Sequence, residues 1–330
     1  MFTRRRLLAQ SALTAAGLAL PRGPAVAELA LLDQLVLSGP PSPPSIILAR
    51  VASQEALKMH AKTIRFEQWK SPDQLRAGVL SGSYHVAATP VNVAANLYNK
   101  GAPIRLLDVT VWGVLSIVTT DSGITSIADL KGREIAVPFR GDVPDIVLRV
   151  LLRKAGLTPG SDLKITYVGS PIEGMQLLVA RSVSTALLPE PATTAALIRG
   201  KGIGLVLRKA IDVQDAWGKT MGGPSRFPQA GTLIQAKLAD EHPELVRTLG
   251  AAAREAIAWI KDNGPSAARV GAEQFRLDAE IILQSLKATQ LEWKSASAAK
   301  AEIERFFGIL ADFEPAAIGG KLPDERLYLD

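Results

Sequence analysis

Residues 126–145 read SIADLKGREIAVPFRGDVPD and contain the unit from which the rest of the chain is built. Glu134 to Pro138 is a short apolar run of strand length. Phe139-Arg140-Gly141-Asp142 follows it, and Gly141 gives the backbone the freedom a turn needs. A helix then opens at Asp142, with Asp145 three residues on as a weak capping pair. Working outward, the same alternation of short apolar runs and helical patterns recurs, which argues for α/β layers. Strands are expected at Gln34–Ser38, Thr63–Gln68, His85–Ala88, Arg105–Thr110 and Val114–Thr120 on one side of this unit. On the other they are expected at Lys164–Val168, Thr185–Leu188, Ile203–Leu207 and Thr232–Gln235.

Two helix starts carry the full signature. Ser71-Pro72-Asp73-Gln74 and Ser170-Pro171-Ile172-Glu173 each place a hydroxyl at the cap, Pro in the first turn and Gln or Glu at the third position. Gly156, Gly200 and Gly264 are expected to stop helices in a left-handed cap. Beyond Pro243 the apolar residues Leu245, Leu249, Ala252, Ala256 and Ile260 recur at helical spacing. Asp278–Lys287 and Ser297–Leu310 continue helical with no strand between them, so the C-terminal third reads as helices laid over a sheet already built.

The first 27 residues have their own logic. Arg4 to Arg6 precede a short run of Leu, Ala and Gly, and Ala25-Val26-Ala27 is a small-x-small cleavage site. This is the order of a secretory signal, and Thr3-Arg4-Arg5-Arg6-Leu7-Leu8 fits the twin-arginine form. The apolar run is too short to span a bilayer, and no later stretch is long and apolar enough. The whole chain of 330 residues carries 38 basic and 32 acidic residues, but the first 27 hold four Arg and no acid. The remainder is therefore near neutral, and the basic balance is no footprint for nucleic acid. There is no cysteine, which excludes thiol chemistry and Cys-based metal sites. The three histidines, His60, His85 and His242, have no partners at zinc spacing. No nucleophile elbow, HExxH, phosphate loop or Rossmann glycine triplet occurs in its proper setting. No cofactor and no metal are expected.

Several segments together resemble the periplasmic substrate-binding proteins of ABC importers, of the nitrate/sulfonate/taurine and thiamine-precursor type. They are Leu80-Ser81-Gly82-Ser83-Tyr84-His85-Val86-Ala87, Gly101-Ala102-Pro103, the Ser126–Val137 stretch with its Asp129-Leu130-Lys131-Gly132, Leu151–Leu157, Leu188-Pro189-Glu190-Pro191, and His242–Arg247 with Ala256–Trp259. Two places depart from the family pattern. His85 stands where Asp is usual, and Ser182-Val183-Ser184-Thr185 where Gly-x-Val-Asp-Ala is usual; both lie near strand starts and read as structural. The resemblance implies two mixed-sheet α/β lobes joined by two crossing segments, with the helical C-terminal part on the first lobe. The first lobe would hold residues 28–119 and 225–330, the second residues 120–224. Val114–Thr120 and Gly222-Gly223-Pro224 would be the crossings. A monomer in the periplasm that hands a small solute to an ABC permease is the implied role, with no catalysis.

Within that frame, candidate ligand contacts lie at strand ends, where open α/β sheets bind. Ser38 and Gly39 end the first strand, as ligand contacts or as a plain turn. The following Gly39–Ser45 segment is a cleft wall or a stiff surface loop. Trp69 follows the second strand and is a candidate for the first-lobe wall. Thr89 caps a helix or faces a ligand. Trp112, beside Gly113, is expected to stack in the cleft opposite Phe139, Arg140 and Gly141. Arg140 would fork onto a carboxylate, sulfonate or phosphate, or is a solvated loop residue. Glu190 caps the next helix or accepts from an amine. Arg226 and Phe227 would close the cleft. On balance these residues favour a small organic solute with an acidic group. Two other functions stay open: a ligand-sensing partner of a membrane receptor, and a pyrimidine-precursor-type enzyme on the same scaffold.

Overall fold

The computed structural model describes residues 31–330, so the export signal expected at 1–27 lies outside the described residues. Two sheets organise the chain. The first half begins with β1 (Leu32–Gly39), α1 (Pro43–Ala52), β2 (Ala61–Gln68), α2 (Pro72–Leu80), β3 (Val86–Pro90), α3 (Val91–Asn99) and β4 (Ile104–Gly113). After one residue the chain continues with β5 (Leu115–Thr119), β6 (Glu134–Pro138), α4 (Val143–Lys154), β7 (Lys164–Val168), α5 (Pro171–Val179), β8 (Thr185–Pro189), α6 (Ala192–Gly202), β9 (Arg208–Asp212) and α7 (Val213–Met221). It returns through β10 (Ala230–Gln235), α8 (Ala236–Glu241), α9 (Pro243–Asp262), α10 (Gly264–Phe275), α11 (Ala279–Ala288), β11 (Gln290–Ser295) and α12 (Ala296–Phe313).

The first sheet has the order β11-β4-β10-β3-β1-β2 and the second β7-β6-β8-β5-β9. In each, three parallel strands (β2-β1-β3 and β7-β6-β8) are followed by an antiparallel strand. Each of those six parallel strands feeds a helix from its carboxyl end. The two lobes are therefore built to one plan, and the loops that matter gather at matching edges. The match extends to the caps. Ser71 accepts from the Gln74 N–H at 3.2 Å, and Ser170 from the Glu173 N–H at 3.2 Å. Gln74 and Glu173 reach back one residue beyond the cap, to the N–H groups of Lys70 and Gly169. Asp145 does the same to Gly141 at 2.8 Å.

The crossings sit where the sheets change. Val114 alone separates β4 of the first sheet from β5 of the second, which pairs with β8 and β9. Leu115–Thr119, expected with the first lobe, thus hydrogen-bonds within the second sheet. The return runs from α7 through residues 222–229 into β10. Buried Gln214 fastens the two paths: its Oε1 accepts from the Val114 and Leu115 N–H groups at 3.3 and 3.0 Å, and its Nε2 donates to the Leu115 carbonyl at 3.1 Å. Gly113 has no side chain because a Cβ there would collide with the Gln214 stem.

Three sequence expectations are corrected. Ile203–Leu207 is a turn, with Gly204 at φ 71° ending α6, and the strand begins at Arg208. Gly200 lies inside α6 and Gly264 opens α10, so neither stops a helix; Gly156, at φ 74° beyond α4, does. The C-terminal third also contributes a strand, because β11 adds to the outer edge of β4. His85, where the family pattern has Asp, is structural as expected. Its Nδ1 accepts from the Val36 N–H at 3.0 Å, and burial lowers its pKa, which keeps the ring neutral for that role. Among the described residues no helix is long and apolar enough to cross a membrane.

Candidate functional site

The carboxyl ends of β1, β2 and β3 and those of β6, β7 and β8 face a common cavity of about 160 Å³. Ligands in open α/β sheets collect at such ends. The first lobe supplies Pro40 to Pro44, Trp69, Thr89, Pro90 and Val93. The second supplies Phe139, Val143, Ile172, Pro189, Glu190 and Ala192; Val111 comes from β4, and Val114 and Gln229 from the crossings. The wall is mostly apolar, and prolines recur because helices begin here. Pro43, Pro72 and Pro171 are the first residues of α1, α2 and α5, where a missing N–H costs nothing.

Trp69 is buried, its N–H pinned to the Gly39 carbonyl at 3.0 Å and its indole N–H to the Ala88 carbonyl at 3.3 Å. Thr89 is buried at the end of β3 and lines the cavity. Phe139 lines it from the other lobe with φ 58°, the left-handed region that bulky residues avoid. Such strain concentrates at binding sites. The turn is held by the Phe139 N–H on the Val168 carbonyl and the Asp142 N–H on the Phe139 carbonyl.

Two polar side chains carry the chemistry. Glu190 is 3% exposed. One of its carboxylate oxygens accepts from the Thr194 N–H at 3.2 Å, so it caps α6 while lining the cavity. Burial pushes its pKa up, and hydrogen bonds from Thr194 pull it part of the way back. Gln229 is 7% exposed, and its Oε1 is buried with no hydrogen-bond partner. The sequence offered no signal for Gln229; its role follows only from the backbone bond that seats it on Val111.

At the edge of the cavity Asp142 accepts from Arg76 of α2 at 3.3 Å, an ion pair between the lobes. Burial raises the Asp142 pKa and Arg76 lowers it again. Arg149 of α4 forms a second bridge, to Glu314, while also bonding Asp145 at 3.1 Å.

Trp69, Thr89, Phe139 and Glu190 are thus brought together, and seven other candidates lie elsewhere. Ser38 is wholly buried in β1 beside β3, and Gly39 packs against Ser45, whose hydroxyl bonds the Pro40 carbonyl. Neither lines the cavity. Trp112 points to the opposite side of β4 from Val111, since side chains alternate along a strand. There its indole N–H donates to the Glu292 carbonyl at 2.9 Å, and Arg226 and Lys294 lie over its ring. Arg140 is exposed and stacks on Tyr167 at 5.0 Å, so it faces away from Phe139 across the turn. Gly141 lies behind it, in a small hollow beside Arg76 and Asn92. Phe227 is buried between Trp217 and Phe306, with ring centroids 5.4 and 5.3 Å away, and Arg226 bonds Glu292 and Glu302. Neither closes the cleft. Among the described residues no group of His, Asp and Glu is placed to hold a metal.

Comparison with known proteins agrees with this geometry. The chain matches an ABC transporter structure from Parabacteroides distasonis with a TM-score of 0.75 at 23% identity, over 90% of this chain and 99% of that one. It matches the periplasmic aliphatic sulphonate binding protein SsuA of Escherichia coli with a TM-score of 0.70 at 20% identity, over 89% and 91%. The periplasmic nitrate-binding protein NrtA of Synechocystis PCC 6803 matches with a TM-score of 0.60 at 17% identity, over 77% and 69%. These likenesses establish the two-lobed fold. No curated protein matches the sequence. The NMT1-like family model covers residues 51–273, which include both crossings and most of the cavity wall, and the chain belongs to that family.

Proposed function

We propose that this chain is the extracytoplasmic solute-binding component of an ABC importer and takes a small organic solute between its lobes. The observation that carries this is the mostly apolar cavity at six strand ends, lined by both lobes and both crossings. Cavities of this kind, with a few convergent polar groups, are where small molecules bind. The likeness to solved binding proteins supports the role, and the export signal read at residues 1–27 supports a periplasmic location. Delivery needs no chemistry, only capture, closure and a surface for the permease. An acidic solute loses its main sequence argument, because Arg140 faces away from the cavity.

The test is a thermal-shift screen of the protein from Glu28 onward against amines, amides, alcohols, sulfonates, carboxylates, nitrate and heterocycles. A solute that binds only the native state stabilises it by RT ln(1 + [L]/Kd), about 2.7 kcal/mol at a hundredfold excess over Kd, and so raises the transition. At least one small solute is expected to do so, and its uptake should fall in cells lacking the gene. A screen with no stabilising solute, or uptake indifferent to the gene, contradicts the role.

A further inference from the structure

We infer that the cavity selects a small, largely apolar solute, neutral or cationic, whose N–H or O–H donor meets Glu190 and whose polar edge is completed by Gln229, and that it rejects sulfonates, carboxylates and nitrate. The inference rests on the binding role proposed above and names the chemistry of the same site.

Both polar groups are built in rather than incidental. The Glu190 N–H donates to the Val114 carbonyl at 3.0 Å and the Gln229 N–H to the Val111 carbonyl at 3.0 Å. The two are therefore seated three residues apart, at Val111 of β4 and at Val114 of the crossing that follows it, and both residues line the one cavity. Among the described residues the Glu190 carboxylate is hydrogen-bonded by Thr194 alone and has no ion pair. Lys209, the cation that acts on it, is itself paired with Asp212 at 2.8 Å. The Gln229 side chain makes no hydrogen bond among the described residues, and its oxygen is buried. Rotation of that amide brings either its oxygen or its nitrogen forward. Buried polar groups without partners are costly, and a ligand that supplies the partners is favoured for that reason.

An anion finds the opposite. It would meet a buried carboxylate in a mostly apolar wall. Arg76, beside the cavity, is engaged by the lining residue Asp142, and Lys70, the one cation among the described residues that lines the cavity, is exposed to solvent. Helix N-termini attract anions through free N–H groups, but several of those groups here are absent or taken. Proline removes the first donor of α1, α2 and α5. Ser71, Ser170 and Glu190 occupy the N–H groups of Gln74, Glu173 and Thr194.

The experiment uses probes on one apolar body: benzylamine, benzamide and benzyl alcohol against benzoate and benzenesulfonate, with nitrate alongside. Thermal shift and calorimetry at neutral pH are run on the wild type, Glu190→Gln and Gln229→Leu, with circular dichroism to show that each variant is folded. Glu190→Gln keeps an oxygen for the Thr194 N–H, and Gln229→Leu keeps the volume. Donor-bearing probes are expected to raise the transition and the anions not to. Benzylamine affinity should fall tenfold or more in Glu190→Gln, and benzamide affinity should fall in Gln229→Leu. If one variant does not fold, the other carries the test. Tighter binding of benzoate or benzenesulfonate than of the donor probes overturns the inference and leaves the binding role standing. Donor binding that ignores both substitutions also overturns it. If no probe binds, the inference fails, and the broad screen then decides separately whether the binding role fails with it.

Discussion

Gln214 holds Leu115 by both its backbone N–H and its carbonyl: the Gln214 amide donates to the Leu115 carbonyl at 3.1 Å and accepts from its N–H at 3.0 Å. This clamp ties the outgoing crossing to α7 on the return path. Replacing Gln214 with Ala strands buried backbone groups and opens space beside Gly113. Stability should fall by about 2–4 kcal/mol, from buried groups at about 1–3 kcal/mol each. Denaturant unfolding of Gln214→Ala checks this; a loss under about 0.5 kcal/mol contradicts the clamp.

The bridges Arg76–Asp142 and Arg149–Glu314 join the lobes on one side of the cavity. Changing Arg76 and Arg149 together to Ala should let the ligand-free lobes part, since each change removes one side of an interlobe pair. Small-angle X-ray scattering should show a larger radius of gyration for the double variant without solute. An unchanged radius would mean the pairs do not set the closed form.

Asp108 is fully buried in the first sheet, where its oxygens accept from the Thr232 N–H at 2.9 Å and the Trp293 indole at 3.1 Å. Burial, the largest influence, lifts its pKa to about 7 despite those bonds. The folded state therefore keeps a proton that the unfolded state loses near its ordinary value of 3.8. Stability from this group is full below that value and is lost as pH rises to about 7, by up to about 1.4 kcal/mol per pH unit. The stability difference between wild type and Asp108→Asn should move against the wild type across that window. A difference that stays constant with pH contradicts the assignment.

Glu190 binds a donor best as a carboxylate. Its pKa is raised by burial, so affinity for benzyl alcohol, which does not titrate, should decline on acidification from above the ordinary glutamate range. Glu190→Gln should show a flat profile in the same titrations. Equal profiles for the two proteins would remove the carboxylate from the contact.

Much of the fold was legible because apolar runs and caps are local signals. Glu134–Pro138 and Lys164–Val168 are strands at the residues expected, and both Ser-Pro caps bond as read. Ile203–Leu207 misled because its apolar residues suit a strand, whereas Gly204 turns the backbone and leaves Ile203 and Val206 exposed. β11 was overlooked because it is an edge strand, with only Leu291, Trp293 and Ser295 turned inward in alternation. The site was half legible. Strand ends pointed to Trp69, Thr89, Phe139 and Glu190, but which way Trp112 and Arg140 face depends on strand register and on the turn at Phe139. Gln229 carries no local signature, and only the sheet topology brings it to the same cavity as Glu190.

The most direct test of a solute held between the lobes is calorimetric titration of the screen's solute into wild type, Trp69→Ala, Phe139→Ala and Arg140→Ala, each shown to be folded. The cavity predicts that Trp69→Ala and Phe139→Ala each lose at least tenfold in affinity, about 1.4 kcal/mol, while Arg140→Ala binds as the wild type does. Full affinity in the two aromatic variants, with loss in Arg140→Ala, would place the solute outside the cavity and contradict the account.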